Sequence, residues 1–207
     1  LKNLAVAGLE YTLPQDWRDR WQATLPAWLD SVAVTRFTSN RNLIIDINPA
    51  FPFQLTSLDG SGENLLLAQQ HQWGIWSGKL SLNAAESTFN RTDLRHPSIA
   101  LSADQQQIQV TELSAFSNKG LLEGTATVGQ QPARPLTLQL TGRAVPVNVL
   151  QNWGWPALPL TGDSNMQLQL SGALTANQPL RPTVNGSLSV TTDSQQLQQT
   201  MQAGEVR

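Results

Sequence analysis

The residue types that catalysis or metal binding would need are few in this chain of 207 residues. His71 and His96 are the two histidines, 25 positions apart, with no His-x-x-x-His spacing and no flanking carboxylate to complete a metal site. Surface or turn positions are expected for both. Asp59-Gly-Ser-Gly62 has the glycines of a phosphate-cradling loop but not the Lys-Ser/Thr and helix that should follow, so a hairpin turn is expected there. Asp46, Glu63, Asp93 and Asp163 would cleave a glycoside only if two of them were held about 5 to 10 Å apart, and nothing in their spacing does this. With no cysteine, thiolate chemistry and disulfides are excluded. No catalytic residue, metal ligand or cofactor is therefore assigned.

The tryptophans are the remaining candidates, because exposed indoles can stack on sugar rings. Trp73 and Trp76 stand three apart, which does not place them on one strand face, and Trp153 and Trp155 lie beside Gly and Pro. Buried anchoring is the commoner fate of such residues.

The elements themselves carry more information. Between Asp104 and Val190 one pattern recurs, a short alternating strand ending in a small polar residue and Gly. Its clearest copies are Leu136-Thr-Leu-Gln-Leu-Thr-Gly142 and Met166-Gln-Leu-Gln-Leu-Ser-Gly172, with looser versions at Leu122–Val128 and Thr183–Val190. Alternation puts Leu, Val and Met on one face of a strand and Gln, Thr and Ser on the other. An apolar sheet face requires a cover, which can be a second sheet, a helix or a bound ligand with long hydrocarbon chains.

Charged residues are 14% of the chain, about half the usual share, and the formal net charge is -2. Without a basic patch, nucleic acid is not expected as a partner. No run of 18 apolar residues is present to form a spanning helix.

In the N-terminal part, Trp17, Trp21, Leu25, Trp28 and Leu29 fall at helical spacing and predict an amphipathic segment over 14–30, kinked at Pro26, with its tryptophans packed on an apolar surface. Ser31–Phe37 and Asn42–Asn48 read as paired strands joined at Ser39-Asn40-Arg41. Further short strands follow at roughly ten-residue spacing, as in an extended antiparallel sheet or a sandwich. Val149, Leu150 and Trp153 suit one helical turn. The tail from Ser194 reads as fraying or marginally helical. One domain is expected, with a helix-bearing part over 1–105, a repetitive part over 106–192 and a polar tail over 193–207.

The run Val110-Thr-Glu-Leu-Ser-Ala-Phe-Ser-Asn-Lys-Gly-Leu-Leu-Glu-Gly-Thr-Ala-Thr-Val128, followed by Pro135–Gly142, Val147-Asn-Val-Leu-Gln-Asn-Trp153 and Leu160–Gly172, resembles the AsmA family of bacterial envelope proteins. The likeness is good over about Leu94 to Val190 and weak before it. It implies a mainly β fold in which an extended antiparallel sheet curves into an open groove, with a short N-terminal helical segment. It also implies a periplasmic location, an inner-membrane anchor outside this chain, and a non-enzymatic role in phospholipid transport and outer-membrane integrity.

On that reading the partner is a phospholipid or other acyl-chain lipid. The groove is lined by Ile108, Val110, Leu122, Val128, Leu136, Leu138, Leu140, Met166, Leu168, Leu170, Leu188 and Val190, and Trp17, Trp21, Leu25 and Trp28 pack at its end. A six-residue strand spans about 20 Å, comparable with a fatty acyl chain. The alternatives are a carbohydrate-binding β-sandwich and a purely structural module.

Overall fold

The computed structural model describes residues 1–49, 51–175 and 178–206. Its elements in chain order are β1 (Asn3–Ala7), β2 (Glu10–Thr12), α1 (Trp17–Gln22), β3 (Val32–Asp46), β4 (Phe53–Gln69), β5 (Gln72–Asn83), β6 (Glu86–Phe89), β7 (Thr92–Ala103), β8 (Gln107–Ser117), β9 (Gly120–Gly129), β10 (Pro135–Pro146), α2 (Val147–Trp153), β11 (Asp163–Ala173), β12 (Asn185–Thr191), β13 (Gln196–Gln202) and β14 (Glu205–Val206). The strands form one sheet in the order β1-β3-β4-β5-β7-β8-β9-β10-β11-β12-β13-β14, with β2 beside β3 and β6 between β4 and β7. Apart from β1 and β2, which run parallel to β3, all pairs are antiparallel. Among the described residues every strand belongs to this one sheet.

The two clearest repeats pair with each other. Leu138 lies opposite Leu170, and Leu140 opposite Leu168, on the β10–β11 ladder. Tight turns join many of the strands. Gln70-His71 and Asn90-Arg91 each place two consecutive residues at positive φ, as the common two-residue hairpin connection demands. His71 is thus a turn residue. Its ring Nδ1 donates to the Leu29 carbonyl at 2.9 Å, which ties the hairpin to the chain before β3. His96, also at positive φ, occupies an irregularity in β7.

Four expectations are corrected. Asp59-Gly-Ser-Gly62 is no turn: it lies inside the 17-residue β4. Ser39-Asn40-Arg41 does not join two strands either, because β3 runs straight through it with a bulge where Arg41 takes φ 51°. A bulge absorbs the extra residue and bends the strand without ending it. The tail forms β13 and β14 rather than fraying, since Leu197 and Met201 alternate with Gln and Thr and pair with Val190 and Gly186.

The fourth correction concerns the N-terminal segment. Helix α1 has six residues and no side-chain cap, and beyond Ala23 the backbone is extended. There Thr24 bridges Gln72, and the Leu25 amide donates to the His71 carbonyl at 2.7 Å, so the chain has exchanged helical bonds for sheet-like ones before Pro26. Trp17 donates from Nε1 to Asp46 Oδ2 at 3.1 Å, and Trp21 stacks on Trp73 at 5.7 Å. Trp21 is nevertheless 45% exposed and Trp28 82% exposed, so the four-residue apolar stripe does not pack as one unit.

Asp46 is buried and also accepts the Asn48 amide at 3.0 Å. Asp46→Ala is expected to cost about 1–3 kcal/mol by stranding those donors, read as a shift of the urea midpoint at unchanged m-value.

Candidate functional site: the apolar face of the sheet

Residues directly opposite each other on neighbouring strands send their side chains to the same face. Followed from partner to partner, the register traces a row from β1 to β14: Leu4, Phe37, Gly62, Leu80, Leu101, Val110, Ala126, Leu138, Leu170, Gly186, Met201 and Val206. Every member is apolar or Gly. The adjacent row reads Ser39, Gly60, Leu82, Ile99, Leu113, Gly124, Leu140, Leu168, Leu188 and Gln199. The opposite face is wet, for example Thr125, Gln139, Gln169, Ser187 and Thr200.

Glycines punctuate these rows for want of room. A Cβ on Gly124 would lie 2.5 Å from the Gln139 carbonyl oxygen, and one on Gly186 would overlap the Gln169 carbonyl oxygen and come within 2.7 Å of Leu170 Cδ2. Gly60 and Gly62 belong to the same series, against Leu82 and Leu65. Their role is close approach, and it explains why the glycine-rich tetrapeptide sits in a strand.

The twelve predicted lining residues share this face but divide into two groups. Leu122, Met166, Leu168, Leu188 and Val190 are buried, with Leu188 and Val190 each 1% exposed. Their cover is protein. Helix α2 and the segment after it deliver Val147, Val149, Leu150, Trp155, Leu158 and Leu160 into one cluster with them. Ile108, Val110, Val128, Leu136, Leu138, Leu140 and Leu170 remain partly exposed, as do Leu80, Leu82, Ile99 and Leu101 on the strands before them.

Two bridges cross the sheet, one at each end of the strands. At the α2 end, Asn90 donates to the Asn152 carbonyl at 2.7 Å, Asn152 to Thr92 Oγ1 at 3.2 Å and Trp153 Nε1 to the Phe89 carbonyl at 3.0 Å. The connection that follows β10 thereby meets the β6–β7 hairpin, with β8 and β9 lying between in the strand order. At the other end the β9–β10 loop reaches β5. Gln130 Nε2 donates to the Ile75 carbonyl at 2.6 Å, and the Arg134 guanidinium lies 4.5 Å from the centre of the Trp76 ring. Burial lowers the Arg134 pKa from its ordinary value.

The residues weighed for catalysis do not assemble. Asp46, Glu63, Asp93 and Asp163 lie on four different strands, β3, β4, β7 and β11. Among the described residues no three of His, Asp and Glu come together as a metal site. Trp76 and Trp155 are buried, and Trp153 is partly buried with its indole N–H committed, so these do not form sugar-stacking platforms. Two shallow hollows lie on the polar face, one including Glu63, Lys79 and Ser81 and the other Thr56, Glu86 and Arg95.

No protein-family model matches the chain, and no solved structure matches it. It is 56% identical, over all 207 of its residues, to the curated AsmA family protein YicH of Escherichia coli (strain K12), covering 36% of that protein. The chain belongs to the AsmA family. The similarity runs through the N-terminal part as well as the AsmA-like stretch after Leu94, and the chain spans about a third of the curated relative. Nothing in the family name indicates an enzymatic activity. What the sequence reading missed in this AsmA-family chain is the protein cover over β10–β12. Its signal was the apolar density of Val147, Val149, Leu150, Trp155, Leu158 and Leu160 between Pro146 and Gly162.

Proposed function

We propose that this AsmA-family chain is a non-enzymatic envelope module that shelters the acyl chains of a phospholipid against the apolar face of its sheet. The reading places it in the periplasm, held to the inner membrane by an anchor outside this chain and supporting lipid transport between the inner and outer membranes. In this view the sheet curves into an apolar groove, and each cross-sheet bridge draws β5–β7 toward β10 along one end of the strands.

The observation that carries the proposal is the run of partly exposed Leu, Ile and Val side chains across β5, β7, β8, β9 and β10, beside a region where the same rows are covered by protein. Apolar surface withdrawn from water is worth about 25 cal/mol per Å². Hydrocarbon laid along these rows gains what the α2 segment gains further along the sheet.

Solvent extraction of gently purified protein, followed by mass spectrometry, is expected to recover phospholipid. The double substitution Val110→Asp and Leu138→Asp puts charges in the central row and should reduce recovery severalfold while circular dichroism stays β-rich. Lipid-free wild-type protein, or undiminished recovery from the double variant, would count against acyl binding on this face.

A further inference from the structure

We infer that Arg134, stacked on Trp76, is a head-group site that selects acyl lipids carrying an anionic head, phosphate or carboxylate; the inference rests on the lipid-binding reading above. The guanidinium is half-buried, with its face covered by the indole and one nitrogen donating to Gln130 Oε1 at 3.3 Å. Among the described residues no carboxylate pairs with it. Its remaining N–H donors have no protein acceptor, and they are not sealed from solvent. This arginine is held in place by π-stacking and an amide rather than by an acid, with its charge left over.

Position gives that charge its meaning. Arg134 immediately precedes β10, two residues before Leu136, where the row Ile108, Val128 and Leu136 closes the apolar face at this end. From Leu136 to Gly142, under the edge of the α2 cover, the strand runs about 20 Å at roughly 3.3 Å per residue. A cation at one end of an apolar strip of acyl length matches an amphiphile with an anionic head. The planar fork of the guanidinium suits two oxygens of a phosphate or carboxylate. Desolvation opposes the charged form of Arg134, and a bound anion relieves that opposition.

Calorimetric titration of the purified protein with dihexanoyl phosphatidylglycerol below its micelle concentration, with uncharged dihexanoylglycerol and with inorganic phosphate tests this directly. The phosphatidylglycerol is expected to bind about tenfold more tightly than the uncharged lipid, the size of one charge-assisted contact, and Arg134→Gln should abolish that preference without weakening the uncharged lipid. Should Arg134→Gln fold poorly, the wild-type protein supplies a second measure, because raising salt must weaken phosphatidylglycerol binding and leave dihexanoylglycerol binding unchanged. An equal affinity for both lipids, or a preference that survives Arg134→Gln, overturns the head-group site and leaves acyl binding standing. Phosphate binding as tightly as the anionic lipid overturns it in favour of a free-anion site. Failure of both lipids to bind removes the lipid reading itself, and this inference with it.

Discussion

Leu188→Ala is expected to destabilise the fold by about 2–5 kcal/mol, whereas Leu138→Ala, on the same face two strands away, should cost only about 1 kcal/mol. The two residues are of one type and sit in neighbouring rows. The difference lies in what covers them. Leu188 is 1% exposed beneath the cluster formed by α2 and the segment after it, so truncation leaves a cavity that the surroundings only partly close. Leu138 is partly exposed, and its loss opens no enclosed void. Urea denaturation of the two variants in lipid-free protein gives the comparison. Similar costs at both positions would mean that the α2 segment does not shield β12 more than β10 is shielded.

Gly186→Val should lower stability by about 3 kcal/mol, at the upper end of what overpacking costs, because the clash is with backbone. The new Cβ would overlap the Gln169 carbonyl oxygen on β11, and a flexible side chain swinging aside cannot relieve that contact. The β11–β12 ladder must open at that point. Gly172 is the natural control: its φ is not positive and a Cβ there meets only side-chain atoms, at 3.2 Å and beyond, so Gly172→Val asks flexible neighbours rather than backbone to give way. Thermal melts of the two variants should separate by several degrees, and coincident melts would remove the close-approach explanation for the glycines of the apolar rows.

The alternation of Leu with Gln and Thr was enough to give β10 and β11 one greasy face each, because a two-residue period has one physical reading once the strand is half-covered, but that the two strands pair with each other was not in the pattern. The glycine tetrapeptide at 59–62 misled for an equally physical reason. Gly serves turns and crowded sheet faces alike, and only the partner strand, with Leu80 and Leu82 opposite Gly62 and Gly60, shows which demand applies. The tryptophan stripe over 14–30 has a helical period, yet Trp28 faces solvent, since the carbonyl of His71 and the bridge to Gln72 offered the backbone better bonds than a helix carrying Pro26.

The candidate site was legible as a face and illegible as a cover. All twelve lining residues read from the alternation do share one side of the sheet. That five of them lie under α2 depends on contacts such as Asn90 with Asn152, 62 positions apart, which no local pattern encodes. Arg134 over Trp76 is of the same kind, a meeting of a loop residue and a strand residue with three strands between them.

Strand order follows chain order from β3 onward, with β6 as the one side branch. Each ladder is therefore complete with the neighbours that precede and follow it, as in stacked repeats. Trimming β13 and β14 would promote β12 to the margin and take Leu197 and Met201 off the core, yet every ladder before β12 would keep its bonds. Hydrogen bonding in such a fold sets the width of a step but no total number of steps.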